Sequence, residues 1–235
     1  MHIIPVIDLM HGQVVQAIQG QRQHYSAIQS QLTDSHALLD VVAAILQVYA
    51  FDCLYIADLN AITGQHEMPN HLSLIKQAMA SFPALTWWVD AGLNSAETLK
   101  PWLDAGVTPI LASETLADLQ TYQSMRKLTA RSILSLDFFQ DGFHGPAELL
   151  TSNTHWSQPT ILMSLPKVGA NQGPDLEKIT SLKQQYPTQP LYAAGGVRNM
   201  ADITMLAQAG AQGVLIASAL HQKKISTEDL MTVRQ

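Results

Sequence analysis

Charge is scarce in this sequence of 235 residues. Only 14% are Asp, Glu, Lys or Arg, and 13 Lys and Arg face 19 Asp and Glu for a net charge of −6. A chain so poor in cations is not built to track a phosphate backbone, so any anionic ligand must be held by local devices such as helix ends. We expect no nucleic-acid partner. Cysteine is almost missing as well: Cys53 stands alone in the apolar run Cys53-Leu-Tyr-Ile-Ala57, where packing within a strand is expected and no disulfide can form within the chain. Long apolar runs are absent, since none approaches the roughly 18 residues of a membrane span. A strand pattern begins almost at the first residue, without a basic-then-apolar leader. The expectation is a cytoplasmic protein with no membrane partner. Nine histidines are present, but none has HxxH, HxxxH or Cys-flanked spacing. Neither a metal nor another cofactor is expected.

What is present is apolar material, 47% of the residues, enough for a sizeable core. It falls into eight short runs: Ile3 to Asp8, Cys53 to Asp58, Leu85 to Asp90, Thr108 to Ala112, Ser132 to Asp137, Thr160 to Ser164, Leu191 to Ala194 and Gly213 to Ala217. Between them lie stretches with helical spacing over 34–50 (Asp34 or Ser35 as cap), 69–81, 95–105, 115–128, 174–186, 199–209 and 226–234. Residues 138–158 break the rhythm with a loop rich in glycine and aromatics, helical only around Pro146 to Leu150. Continuous apolar strands alternating with helices predict a parallel sheet covered by helices. Eight such units in this length predict a single (β/α)8 TIM barrel domain over 1–235, with an open doubly wound sheet as the alternative. The four tryptophans, Trp87, Trp88, Trp102 and Trp156, read as packing between helices and barrel.

An internal repeat supports closure. Residues 89–106 align without gaps on residues 193–210, an offset of 104, and Ile110-Leu-Ala-Ser113 meets Leu215-Ile-Ala-Ser218 soon after. Two half-barrels of four units each would relate these segments by a pseudo-two-fold axis. Within the repeat, Leu191-Tyr-Ala-Ala-Gly-Gly-Val-Arg-Asn199 reads as a phosphate-binding strand, turn and helix. Gly195 and Gly196 would let the backbone turn its N–H groups on an anion, and the helix from about Asn199 would aim its positive end there. The alternative is a tight turn and nothing more. In a barrel of this type the C-terminal strand ends build the active site. Asp8 and Asp137, at the ends of strands one and five, would then face each other across one mouth.

These features resemble the HisA/HisF group of histidine-biosynthesis barrels, most closely its phosphoribosylformimino-5-aminoimidazole carboxamide ribotide isomerases. The resemblance runs over nearly the whole chain. It rests on Ile4-Pro-Val-Ile-Asp-Leu9 with Gly12 and Val14-Val15, on Ile56-Ala-Asp-Leu-Asn-Ala61 with Gly64, on Ser135-Leu-Asp137 with Asp141-Gly142, and on Ala194-Gly-Gly-Val197 followed by Ile216-Ala-Ser-Ala-Leu220. It implies an Amadori rearrangement of a phosphorylated aminoaldose, with Asp8 as the base at C2, Asp137 as the acid that opens the ribose ring, and Ser164 as a retained hydroxyl on strand six. It also implies phosphate binding by Gly195, Gly196, Arg198, Ala217 and Ser218.

Departures from the family pattern fall at the first phosphate turn and strand four, at strand six and loop five, and more mildly at strand eight, where Ala217 stands for the usual glycine. Its first phosphate turn, three glycines followed by an aliphatic residue and Arg, is here Asp90-Ala91-Gly92-Leu93-Asn94, and Ala112-Ser113-Glu114 adds further negative charge. A carboxylate there would repel a phosphate. Strand six leads into Ser164-Leu-Pro-Lys-Val-Gly-Ala-Asn171, without the family's acid, and loop five has Gly145-Pro146 where the family has Gly-Trp. The ligand expected is a small metabolite with one phosphate. Asp58, Asp90, Gly92, Lys167 and His144 are candidate substrate contacts, His144 as a lid residue and Lys167 as a Schiff-base former. A monomer is expected. Two alternatives to the isomerase remain open: a diverged lyase or synthase on a monophosphorylated carbonyl compound, similar to branches in pterin or furan one-carbon cofactor biosynthesis, and a non-catalytic barrel that binds a phosphorylated metabolite.

Overall fold

The strands form because short runs of Ile, Val, Leu and Trp can be buried on both faces where helices cover the outside of a sheet and its closure covers the inside. A computed structural model describes residues 1–18, 21–64 and 69–233. Among these residues eight strands make the barrel: β1 (His2–Met10), β2 (Cys53–Asp58), β3 (Thr86–Asp90), β4 (Thr108–Ala112), β5 (Ile133–Phe139), β6 (Thr160–Ser164), β7 (Leu191–Ala194) and β8 (Gly213–Ile216). Each is parallel to its neighbour, and β8 returns to β1 with Gly213 opposite His2 and Ile216 opposite Pro5, which closes the ring. β1 and β5 are four strands apart in either direction and so stand on opposite walls.

Period-two alternation sorts the side chains into two layers. Ile4, Cys53, Tyr55, Trp88, Ile110, Ile133, Ile161 and Leu215 pack inside the barrel. Their alternates, such as Ile7, Leu54, Trp87, Leu111 and Leu134, pack outward with the helices. Trp88 therefore corrects the expectation of helix packing for all four tryptophans. It fills the barrel interior, edge-on to His2 and tilted against Tyr192, while Trp87, Trp102 and Trp156 lie in the outer layer.

Helices α1 (Leu38–Val48), α2 (Leu72–Ser81), α3 (Ala96–Ala105), α4 (Leu119–Leu128), α5 (Leu176–Gln185), α6 (Met200–Gln208) and α7 (Thr227–Val233) cover the strands. α1 starts later than the Asp34 or Ser35 cap predicts: the Ser35 hydroxyl donates to Asp40 and accepts from the Ala37 N–H, which holds the chain in a turn, and Ala37 takes the N-cap without a side-chain bond. The repeat is visible in α3 and α6. Ser95 and Asn199 cap them through the N–H groups of Thr98 and Asp202, Leu99 and Trp102 are buried where Ile203 and Leu206 are, and Gly106 and Gly210 follow with φ of 86° and 98°. After β5 the helical pieces are the short helix Glu148–Thr151 and a single 3-10 turn at Asn153–His155. The hairpin strands Gln13–Gln16 and Ser26–Ala27 extend β1 beyond its predicted end at Asp8, and Gly142–His144 folds back on β5. Arg234, the last residue of the predicted final helix, lies outside the described residues. Among the described residues no helix is long and apolar enough to cross a membrane.

Candidate active site

Parallel strands end together, so whatever terminates them converges. At the C-terminal mouth lies a cavity of about 220 Å³ lined by the strand ends Val6, Asp8, Ala57, Asp90, Asp137, Met163, Ala194 and Leu215. Acid and base are segregated across it. Asp8, Asp90, Glu114 and Asp137 line one part, from β1, β3, β5 and the turn after β4; Lys167, Arg198 and Lys224 line the side built by the loops after β6, β7 and β8.

Asp137 is 3% exposed, and its carboxyl is pushed up to about 7. Burial is the largest cause; the Ser135 hydroxyl opposes it, and Asp90 and Glu114 push it further up. Around it, Ser135 Oγ donates to Oδ1 at 2.6 Å and the Glu114 N–H to Oδ2 at 3.1 Å. Ser113 Oγ lies 3.2 Å from Oδ2, yet it also stands 2.6 Å from the His144 carbonyl. One hydroxyl hydrogen serves one acceptor, and the shorter contact takes it. The Ser113 oxygen in turn accepts the Asp137 N–H at 2.9 Å. Ser113, fully buried, stands in the repeat of the sequence but is a residue that was not among its site candidates.

Tyr55 is a second. It stands mid-strand in β2 and reads as core, but it lines the cavity and donates to Asp90 Oδ2 at 3.3 Å. Burial and the neighbouring Asp90, Asp137 and Asp8 hold its phenol protonated, far above its ordinary range. Gln16 and Lys224 also line the cavity, one from the hairpin after β1 and the other from the loop after the short helix Ser218–His221.

The structure brings together Asp8, Asp137, Asp90, Lys167, Gly195, Gly196, Arg198, Ala217 and Ser218 on this one cavity. It does not bring Ser164, Asp58, Gly92 or His144 there. Ser164 is 5% exposed and donates instead to Asp175, the cap of α5, at 3.3 Å. Asp58 caps the turn Leu59–Ile62 through the Ala61 N–H and binds buried His71, so it pins a loop. Gly92 faces the backbone of Ala61 and Ile62, close enough that an added Cβ would stand 2.7 Å from Ile62 Cα. His144 is exposed, stacks on Phe139 with centroids 4.2 Å apart, and pairs with Asp141 at 2.8 Å; it is part of a hairpin and no lid over the cavity. Arg198 lines the cavity, but its guanidinium grips Asp202 with two bonds of 2.9 and 2.8 Å, four residues on along the chain.

A model of the histidine biosynthesis protein family matches residues 2–226 of this chain. The chain belongs to that family. An uncharacterised protein of Methanocaldococcus jannaschii is 28% identical to it over 98% of both chains. The family member of Methanoregula boonei named 1-(5-phosphoribosyl)-5-((5-phosphoribosylamino)methylideneamino)imidazole-4-carboxamide isomerase is 26% identical over 98% of both. The isomerase of the same name from Listeria monocytogenes is 28% identical, covering 100% of this chain and 99% of its own. These relatives support an enzyme of that family.

Proposed function

We propose that this barrel is an aldose–ketose isomerase acting on a monophosphorylated aminoaldose. Asp137 protonates the ring oxygen as the ring opens, Asp8 takes the proton from C2, and the resulting enolamine collapses to the aminoketose. The phosphate sits at Gly195 and Gly196, with Lys167 and the Ala217–Ser218 turn around it. The single observation that carries this reading is Asp137 itself: a carboxyl near 7 on the wall opposite Asp8 retains a proton to donate at neutral pH. The segregation of acidic and basic residues across the cavity supports the orientation. The names of the relatives from Methanoregula and Listeria support the reaction class.

The test is hydrogen exchange at C2. With a deuterated aminoaldose phosphate, wild-type protein should wash the label into solvent, and Asp8→Asn should stop the exchange. Asp137→Asn should slow ring opening, an effect that a pre-opened analogue would bypass. Exchange that survives unchanged in both variants would sink the reading.

A further inference from the structure

The repeat places two glycine turns at equivalent positions, after β3 and after β7, with Asp90, Ala91 and Gly92 matching Ala194, Gly195 and Gly196. The two turns treat the cavity differently. At the second, all three residues line it, and Lys167 packs beside Gly196, 3.1 Å from where a Cβ would stand. At the first, Ala91 and Gly92 are off the cavity wall and Asp90 alone reaches it. Its Oδ1 accepts the Gly92 N–H at 3.1 Å and its Oδ2 the Tyr55 hydroxyl at 3.3 Å, with the residue 6% exposed. Gly92 is backed by the backbone of Ile62 and Ala61, and Gly196 by the Gly173 carbonyl and Lys167; Ile62 and Lys167 both line the cavity.

We propose that Asp90 is a resident anion that closes the first glycine turn to phosphate and thereby sets the ligand class: one phosphate, and a far end that donates hydrogen bonds and carries no negative charge. The inference rests on the second turn being the phosphate cradle of the proposed function. At the first turn the Gly92 amide that would meet a phosphate oxygen already meets a carboxylate oxygen. A phosphate brought there would lose that donor and stand against a like charge. A hydroxyl or an ammonium group, by contrast, finds an acceptor in Asp90.

Calorimetric titration with inorganic phosphate tests this on the wild type, Asp90→Ala and Asp90→Asn. The alanine restores at the first turn the methyl group that Ala194 places at the second. The wild type should bind a single phosphate and Asp90→Ala two. A pentose bisphosphate should bind the wild type no better than the corresponding monophosphate, and Asp90→Ala roughly tenfold or more tighter than it binds the wild type. Asp90→Asn keeps the volume and removes the charge, so it serves if the alanine variant fails to fold, and it should shift the preference in the same direction. Two phosphates on the wild type, or folded variants with unchanged stoichiometry and preference, would overturn the proposal. A wild type that binds no phosphate beside an Asp90→Ala protein that gains one would refute the second-turn cradle and leave the role of Asp90 standing.

Discussion

His71 and Asp58 are buried against each other, Nδ1 to Oδ1 at 2.7 Å, while the other nitrogen of the ring accepts the Gly12 N–H at 2.9 Å. Asp58 Oδ2 also takes the His71 N–H at 2.6 Å. The pair thus ties the end of β2 to the start of α2 and to the hairpin after β1, far from any ligand contact of its own. Asp58→Asn and His71→Ala should each destabilise the fold by about 2–4 kcal/mol, because each leaves a buried partner unsatisfied. Urea unfolding followed by circular dichroism measures it; a change under about 0.5 kcal/mol would show that the network contributes nothing.

Asp137 gives a pH dependence with a definite sign. Its carboxyl is raised to about 7 in the folded chain, so the folded state holds the proton more tightly than the unfolded state does. Stability associated with that proton is fully present below the unfolded value near 4 and is lost as pH climbs through 7, on the order of 4 kcal/mol at most. Asp137→Asn should therefore melt at a higher temperature than wild type at pH 8 and lose the advantage at pH 4. Turnover of the wild type should fall above about pH 7, as the acid loses its proton.

Lys167 and Arg198 both line the side proposed for the phosphate, and of the two Arg198 is the one held by a carboxylate, that of Asp202. Replacing Arg198 by Met should weaken binding of a phosphorylated ligand by less than about threefold, and Lys167→Met by roughly tenfold or more. Lys167→Arg separates the two roles proposed for this lysine. Retained activity fits a counter-charge, whereas a Schiff base requires the primary amine and would not survive the change.

Gly196 should tolerate nothing larger. Its φ is 86° and an added Cβ would stand 2.3 Å from the Gly173 carbonyl oxygen, so Gly196→Ala should abolish phosphate binding and lower the melting temperature sharply. Gly106, with the same φ of 86° and open space around it, provides the comparison. Gly106→Ala should cost only about 1 kcal/mol and leave binding intact.

The barrel was legible in the sequence because strands buried on both faces must be apolar throughout, and because Ser95, Asn199, Gly106 and Gly210 mark equivalent helix ends in the repeat. The hairpin Gln13–Gln16 with Ser26–Ala27 was not, since Gln-Val-Val-Gln shows no alternation and the second strand is only two residues long. Strand-terminal acids announced the mouth, but sequence could not say which of them face it. Asp58 and Asp90 end neighbouring strands in matching fashion, yet one turns outward onto His71 and the other inward onto Tyr55. Tyr55 itself was hidden because an aromatic residue in an apolar run looks like core, and in its ring it is core; only its hydroxyl reaches the acids. The grip of Asp202 on Arg198 had a signal, the spacing of four residues at the start of a helix.

A barrel of two matching halves has a difficulty in handling its ligand: with the same anchor at both ends, an elongated molecule fits equally well turned end for end. On the proposed reading Asp90, at the repeat position that Ala194 holds on the other side, removes that ambiguity. A ligand whose phosphate is held at the second turn, as proposed, would enter one way round, and Asp8 and Asp137 would always meet the same two atoms of it. The duplicated scaffold thereby acquires a heading, and a single reaction coordinate follows from it.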